Sequence, residues 1–147
     1  MSVDPNNHVL HDVVGSLLGK EGRYEDAIRH YNESIRIRPS FAWSHFHLGV
    51  VSLHQQRYAD AVAHFSDAVR LQPEFLVARF NLAASHLRLN QLDQAVEQYY
   101  EVIRMEPQSV EAQRQLGRIF QAQKKHAAAA KHIAEAKRLE QEKAASR

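Results

Sequence analysis

Residues 42–75 read AWSHFHLGVVSLHQQRYADAVAHFSDAVRLQPEF. Two amphipathic stretches flank a polar break at Gln55–Arg57. In the second stretch apolar residues recur three and four apart, as Ala61, Val62, Phe65 and Val69. That spacing builds one helical face, so the segment predicts two helices joined by a short turn. Pro73 then opens a linker, where its missing N–H removes no helical hydrogen bond.

The same marks return every 34 residues along the chain. Pro39, Pro73 and Pro107 keep that spacing, as do Ala27, Ala61, Ala95 and Ala129. Gly15, Gly49, Ala83 and Gly117 form a third series, and Val14, Leu48, Leu82 and Leu116 a fourth. Tyr31, Phe65 and Tyr99 form an aromatic series, with Ile133 in its last slot. A fixed period of this length is the signature of stacked helical units. Helices are predicted at about 8–20, 24–37, 42–55, 58–71, 76–89, 92–105, 110–123 and 126–141. Each is about 14 residues, or roughly 20 Å long, and marginal alone. Stacking buries one continuous core. Gly22 and Asn90 share a repeat position where a helix ends in a left-handed residue. Gly or Ala in the first helix, facing Ala in the second, lets the pair approach closely.

Composition agrees. Of 147 residues, 44% are apolar and 24% charged, the balance of a globular domain. Cysteine is absent, which excludes disulfides and thiol chemistry. The segment MSVDPNNHVL has no basic n-region or apolar h-region, and no run approaches the length of a membrane span. A cytoplasmic protein is expected.

These positions resemble the tetratricopeptide repeat, whose 34-residue pattern sets an aromatic, Leu-Gly, a Tyr, an Ala, a Phe or Tyr, another Ala and a Pro. Residues 42–75 carry it best, in Leu48-Gly49, Ala61, Phe65, Ala68 and Pro73. The resemblance covers residues 8–143 and implies an all-α, right-handed solenoid of antiparallel hairpins, about eight helices in all. It divides the chain into a tail at 1–7, repeats 8–41, 42–75, 76–109 and 110–143, and a tail at 144–147. The last repeat is thinned to alanine in its second helix and reads as a cap; a fragment of a longer array is the alternative. The early Trp of the pattern is replaced by His11, His45, Arg79 and Gln113, and the second Ala by Ser34 and Val102.

The resemblance implies a concave surface lined by the first helix of each hairpin. It places Val9, Asp12, Val13, Ser16 and Lys20 there in the first repeat. The second contributes Trp43, Phe46, His47, Val50 and His54, and the third Val77, Phe80, Asn81, Ala84 and Arg88. Arg114 and Arg118 follow in the fourth. An apolar, aromatic centre flanked by His, Asn and Arg has the make-up of an interface core with a polar rim. Trp43 and Phe46 have a second reading as packing residues. The family's clamp for acidic chaperone termini requires Lys, Asn and Arg where this chain has Asp12, Ser16, His47, Val77 and Asn81, so that ligand is disfavoured.

No phosphate loop, nucleophile elbow or paired-carboxylate motif is present. His47 and His54 lie about 10 Å apart along one helix, too far to share an ion. No catalysis, cofactor or metal is expected, although both histidines can make groove binding pH-sensitive between about pH 5 and 7. Charge per repeat runs 0, −1, −1 and +4. The basic end reads as a solvated helix face, so nucleic acid is not expected as a partner, nor is a membrane. The expected function is a scaffold or adaptor holding a peptide or helical segment of a partner protein, as a monomer or weak homodimer. The alternatives are a recognition arm of a larger enzyme or secretion assembly, or a self-associating module.

Overall fold

The computed structural model describes residues 7–146 and is all α. Among the described residues there are eight helices. They are α1 (His8–Lys20), α2 (Tyr24–Ile37), α3 (Ala42–His54), α4 (Tyr58–Leu71), α5 (Leu76–Arg88), α6 (Leu92–Met105), α7 (Val110–Ala122) and α8 (His126–Ala145). Consecutive helices pack as hairpins: α1 on α2, α3 on α4, and α7 on α8. Phe80 and Arg79 of α5 meet Tyr99 and Gln98 of α6 in the same manner. The helices form two compact units, one up to Ala78 and one from Arg79. The predicted tail at 1–7 falls, apart from Asn7, outside the described residues. α8 runs past the predicted end at 141 to Ala145, because its Ala, Glu and Lys residues are strong helix formers.

Each hairpin turns in the same way. Gly22, Gln56, Asn90 and Lys124 share one repeat position, and all have φ between 56° and 76°. The following amide then bonds back five residues, Arg23 to Leu18, Arg57 to Ser52, Gln91 to His86 and Lys125 to Phe120, at 2.8–3.0 Å. This is the Schellman closure. Sequence reading assigned the left-handed state to Gly22 and Asn90; Gln56 and Lys124 adopt it too, at a steric cost of about 1–2 kcal/mol each.

The crossing of each hairpin is set by side-chain size. A Cβ on Gly49 would lie 2.6 Å from the Phe65 ring, one on Gly15 2.7 Å from Tyr31, and one on Gly117 2.7 Å from Ile133. The aromatic series and its Ile133 slot therefore sit on the glycine series. Ala27, Ala61 and Ala95 are wholly buried beside them.

Where the repeat pattern has Trp, this chain places polar pairs instead. His11 Nδ1 lies 3.0 Å from His30 Nδ1, Arg79 donates to Gln98 at 3.1 Å, and His132 Nδ1 lies 2.7 Å from Gln113 Oε1. His45 and His64 hold the same two positions in the second hairpin. Burial lowers the pKa of His30, His64 and His132, and a neighbouring histidine or lysine adds to each shift.

Candidate functional site

In the first unit, α1 and α3 present a shared surface whose geometry starts from one buried carboxylate. Asp12 on α1 is 7% exposed. Its Oδ1 is 2.9 Å from Ser44 Oγ and 2.9 Å from His47 Nδ1. Ser44 Oγ is also 2.7 Å from Ser34 Oγ on α2. A hydroxyl has one proton and a carboxylate only accepts, so Ser44 donates to Asp12 and accepts a hydrogen bond from the Ser34 hydroxyl. Three helices are thus tied through one polar node. Sequence reading put Asp12 in the groove; it is turned into the α1–α3 contact instead, where Ser44 and His47 satisfy it. Ser34, a departure from the repeat's Ala, has its reason here.

The node fixes His47, whose ring stacks on Tyr31 at 5.3 Å. One helical turn on from Val50, His54 stacks on Tyr24 at 5.8 Å and 16°. Between these two stacks lies a pocket of about 190 Å³, with Gly19 and Val50 in its lining and Lys20 and Ser16 contributed by α1. That volume is on the scale of one large side chain. Lys20 is exposed and has no ionic partner among the described residues.

Trp43 lies one turn before His47. Its ring centroid is 4.6 Å from Phe75, 5.8 Å from Phe46 and 5.8 Å from His47, yet it remains 42% exposed. Phe46 is buried against Phe65 and Phe75 and supports Trp43 from beneath. Phe75 was missed in sequence, although Phe41, 34 residues earlier, likewise packs on a ring at the start of its own repeat, meeting His8 at 4.8 Å. That recurrence was the available signal. Val77, at the end of this unit, is 45% exposed.

In the second unit, Phe80 is half-buried and meets Tyr99 edge-on at 5.4 Å. Burial pushes the Tyr99 phenol up to about 12. Asn81 and Ala84 are half-buried, and Arg88 is exposed. Arg114 donates to Glu111 at 2.6 Å and also pairs with Glu140, so its charge is already balanced within the chain. Arg118 is exposed. The structure therefore joins Trp43, Phe46, His47, Val50 and His54 around one surface. Within the second unit, Phe80, Asn81, Ala84 and Arg88 lie on α5, and Arg114 and Arg118 on α7.

Among the described residues, no group of three His, Asp or Glu side chains is placed to hold a metal ion. No described helix is long and apolar enough to cross a membrane.

Family models described as TPR repeat or tetratricopeptide repeat match residues 15–56, 52–99 and 80–144. The chain belongs to the tetratricopeptide repeat family. Its domains are generic protein–protein interaction modules and typically non-catalytic. Among solved structures, a crystal structure of MamA matches with a TM-score of 0.90 at 22% identity, over 96% of this chain and 82% of that one. A MamA from Desulfovibrio magneticus RS-1, spanning residue 41 to its end, matches with a TM-score of 0.83 at 21% identity, over 93% and 77%. At that identity the likeness is one of fold. No curated protein matches the chain in sequence.

Proposed function

We propose that this chain is a non-catalytic adaptor, acting in the cytoplasm, which holds a segment of a partner protein against the α1–α3 surface. One observation carries the reading: Trp43 is locked by three rings and still 42% exposed. A large side chain that is both rigid and exposed loses little conformational freedom on binding and offers much apolar area, which is the character of an interface hot spot. The adjoining pocket of about 190 Å³ accepts one side chain of the bound segment, with Lys20 at hand for an acidic neighbour. Phe46 acts as the support of Trp43, and Val50 and His54 as the wall.

The test is site-specific photocrosslinking in cells, with the crosslinker at Val50 in the surface and at the exposed Ala63 of α4 as control. A partner captured at Val50, absent at Ala63 and lost in Trp43→Ala supports the adaptor reading. Equal capture at both sites, or capture that survives Trp43→Ala, removes it.

A further inference from the structure

The four first helices share a register but not their surroundings. Leu17, Val51, Ser85 and Ile119 occupy one repeat position. Val51, Ser85 and Ile119 are 3%, 0% and 3% exposed, whereas Leu17 is 57% exposed. Val51 owes its cover to the preceding hairpin, packing with Tyr31 and with the flanking Ile28 and Ile35 of α2. A second position repeats the contrast. Ser44, Ala78 and Ala112 are wholly buried, and Leu10 at the matching place in α1 is only half-buried. Leu10 and Leu17 are two turns apart on one face. They form a ridge with the character of an inter-repeat contact and no covering hairpin among the described residues.

The other end of the register has the converse form. The α2 residues that cover α3, Ile28 and Ile35, correspond to Ala130 and Lys137 in α8. The shorter side chain leaves an open hollow of about 410 Å³, lined by Ala129, Ala130, Ile133, Ala134 and Lys137 among others. Large aliphatic knobs therefore stand at one end of the register and an alanine-floored hole at the other, the pairing that helix packing requires. Two α1 ridges facing each other offer knobs without holes. Two α8 hollows brought together would oppose two repeats of charge +4, whereas the first repeat is neutral.

We propose that copies of this chain associate head to tail, the Leu10–Leu17 ridge of one seated in the α8 hollow of the next. Lys137 lays its aliphatic stem along the ridge and keeps its ammonium in water. The contact is heterologous, so it leaves one free ridge and one free hollow on every assembly and does not stop at two copies. It uses neither Trp43 nor the pocket beside it, and it stands or falls separately from the adaptor reading.

The test is sedimentation equilibrium on the full chain, wild type beside Leu17→Glu and Ala130→Glu, with circular dichroism establishing that each variant is folded. The wild-type mass is expected to rise past that of a dimer with concentration, and each variant to stay monomeric. An equimolar mixture of the two variants retains one intact ridge and one intact hollow, so it is expected to regain a dimer and nothing larger. A wild type that stays monomeric up to millimolar concentration overturns the proposal. So does an Ala130→Glu variant that associates as the wild type does, which would mean that α1 pairs with α1.

Discussion

Removing the Asp12 carboxylate is the sharpest probe of how the first unit is held. In Asp12→Ala, Ser44 loses its acceptor in a wholly buried position, and His47 loses the partner that orients it. Hydrogen bonds to a charged group contribute about 1.5–3 kcal/mol each, and a stranded buried group costs on a similar scale. Two such bonds set an upper range near 6 kcal/mol. His47 is partly exposed and can turn to water, and Ser44 can still bond Ser34, so the expected loss is about 2–3 kcal/mol. Asp12→Asn keeps an acceptor without the charge and should lose about half as much. The assay is urea unfolding followed both by far-ultraviolet circular dichroism and by the fluorescence of Trp43, the chain's one tryptophan, which lies against His47. In a double-mutant cycle with His47→Ala, the coupling energy should be about 1–2 kcal/mol. An Asp12→Ala variant within about 0.5 kcal/mol of the wild type, the range of ordinary surface changes, would refute the polar node as a structural tie.

Three further outcomes follow from the same geometry. Gly49→Ala drives a Cβ into the Phe65 ring, so overpacking of about 1–3 kcal/mol outweighs a helix-propensity gain of about 1 kcal/mol, and the urea midpoint should fall. Adding Phe65→Leu to Gly49→Ala should recover part of the loss. Lys124→Gly relieves a left-handed lysine and should stabilise by about 0.5–1 kcal/mol after the entropy of the more flexible unfolded chain is counted, seen as a higher midpoint. His30, His64 and His132 have pKa values lowered in the fold, so the unfolded chain binds more protons as the pH falls through their ordinary value of 6.5. Stability that is full above pH 6.5 should therefore decline toward pH 5, before the carboxylates titrate, and His132→Gln should flatten that slope. A slope that is unchanged in the variant would remove His132 from the account.

The period was legible because each repeat must solve the same steric problem. Gly15, Gly49 and Gly117, set against Tyr31, Phe65 and Ile133, announce crossings too close for a Cβ, with Ala83 the one member of the series that carries one. The helix boundaries followed to within a residue or two except at the end of α8. Gly22 and Asn90 declared the left-handed turn by residue type. Gln56 and Lys124 did not, since only their register revealed it. The pairs His11–His30 and Gln113–His132 stayed hidden for another reason. A substitution of Trp by a polar residue reads as lost bulk until its partner on the second helix is known. Asp12 shows the same limit: the repeat resemblance placed it on the concave surface, while Ser44, His47 and Ser34 on two other helices draw it inward. Trp43 was read as either a packing or a groove residue, and it is held by packing while still open to solvent. The bed beneath it depended on Phe75, in a linker to which the repeat pattern assigns no role.

The most direct measurement is the accessibility of Trp43 to acrylamide, with and without the partner captured at Val50. Binding of that partner over the α1–α3 surface should cut the quenching constant several-fold and shift the emission to the blue. A partner that binds this chain tightly while Trp43 stays as open to acrylamide as before would contradict the account.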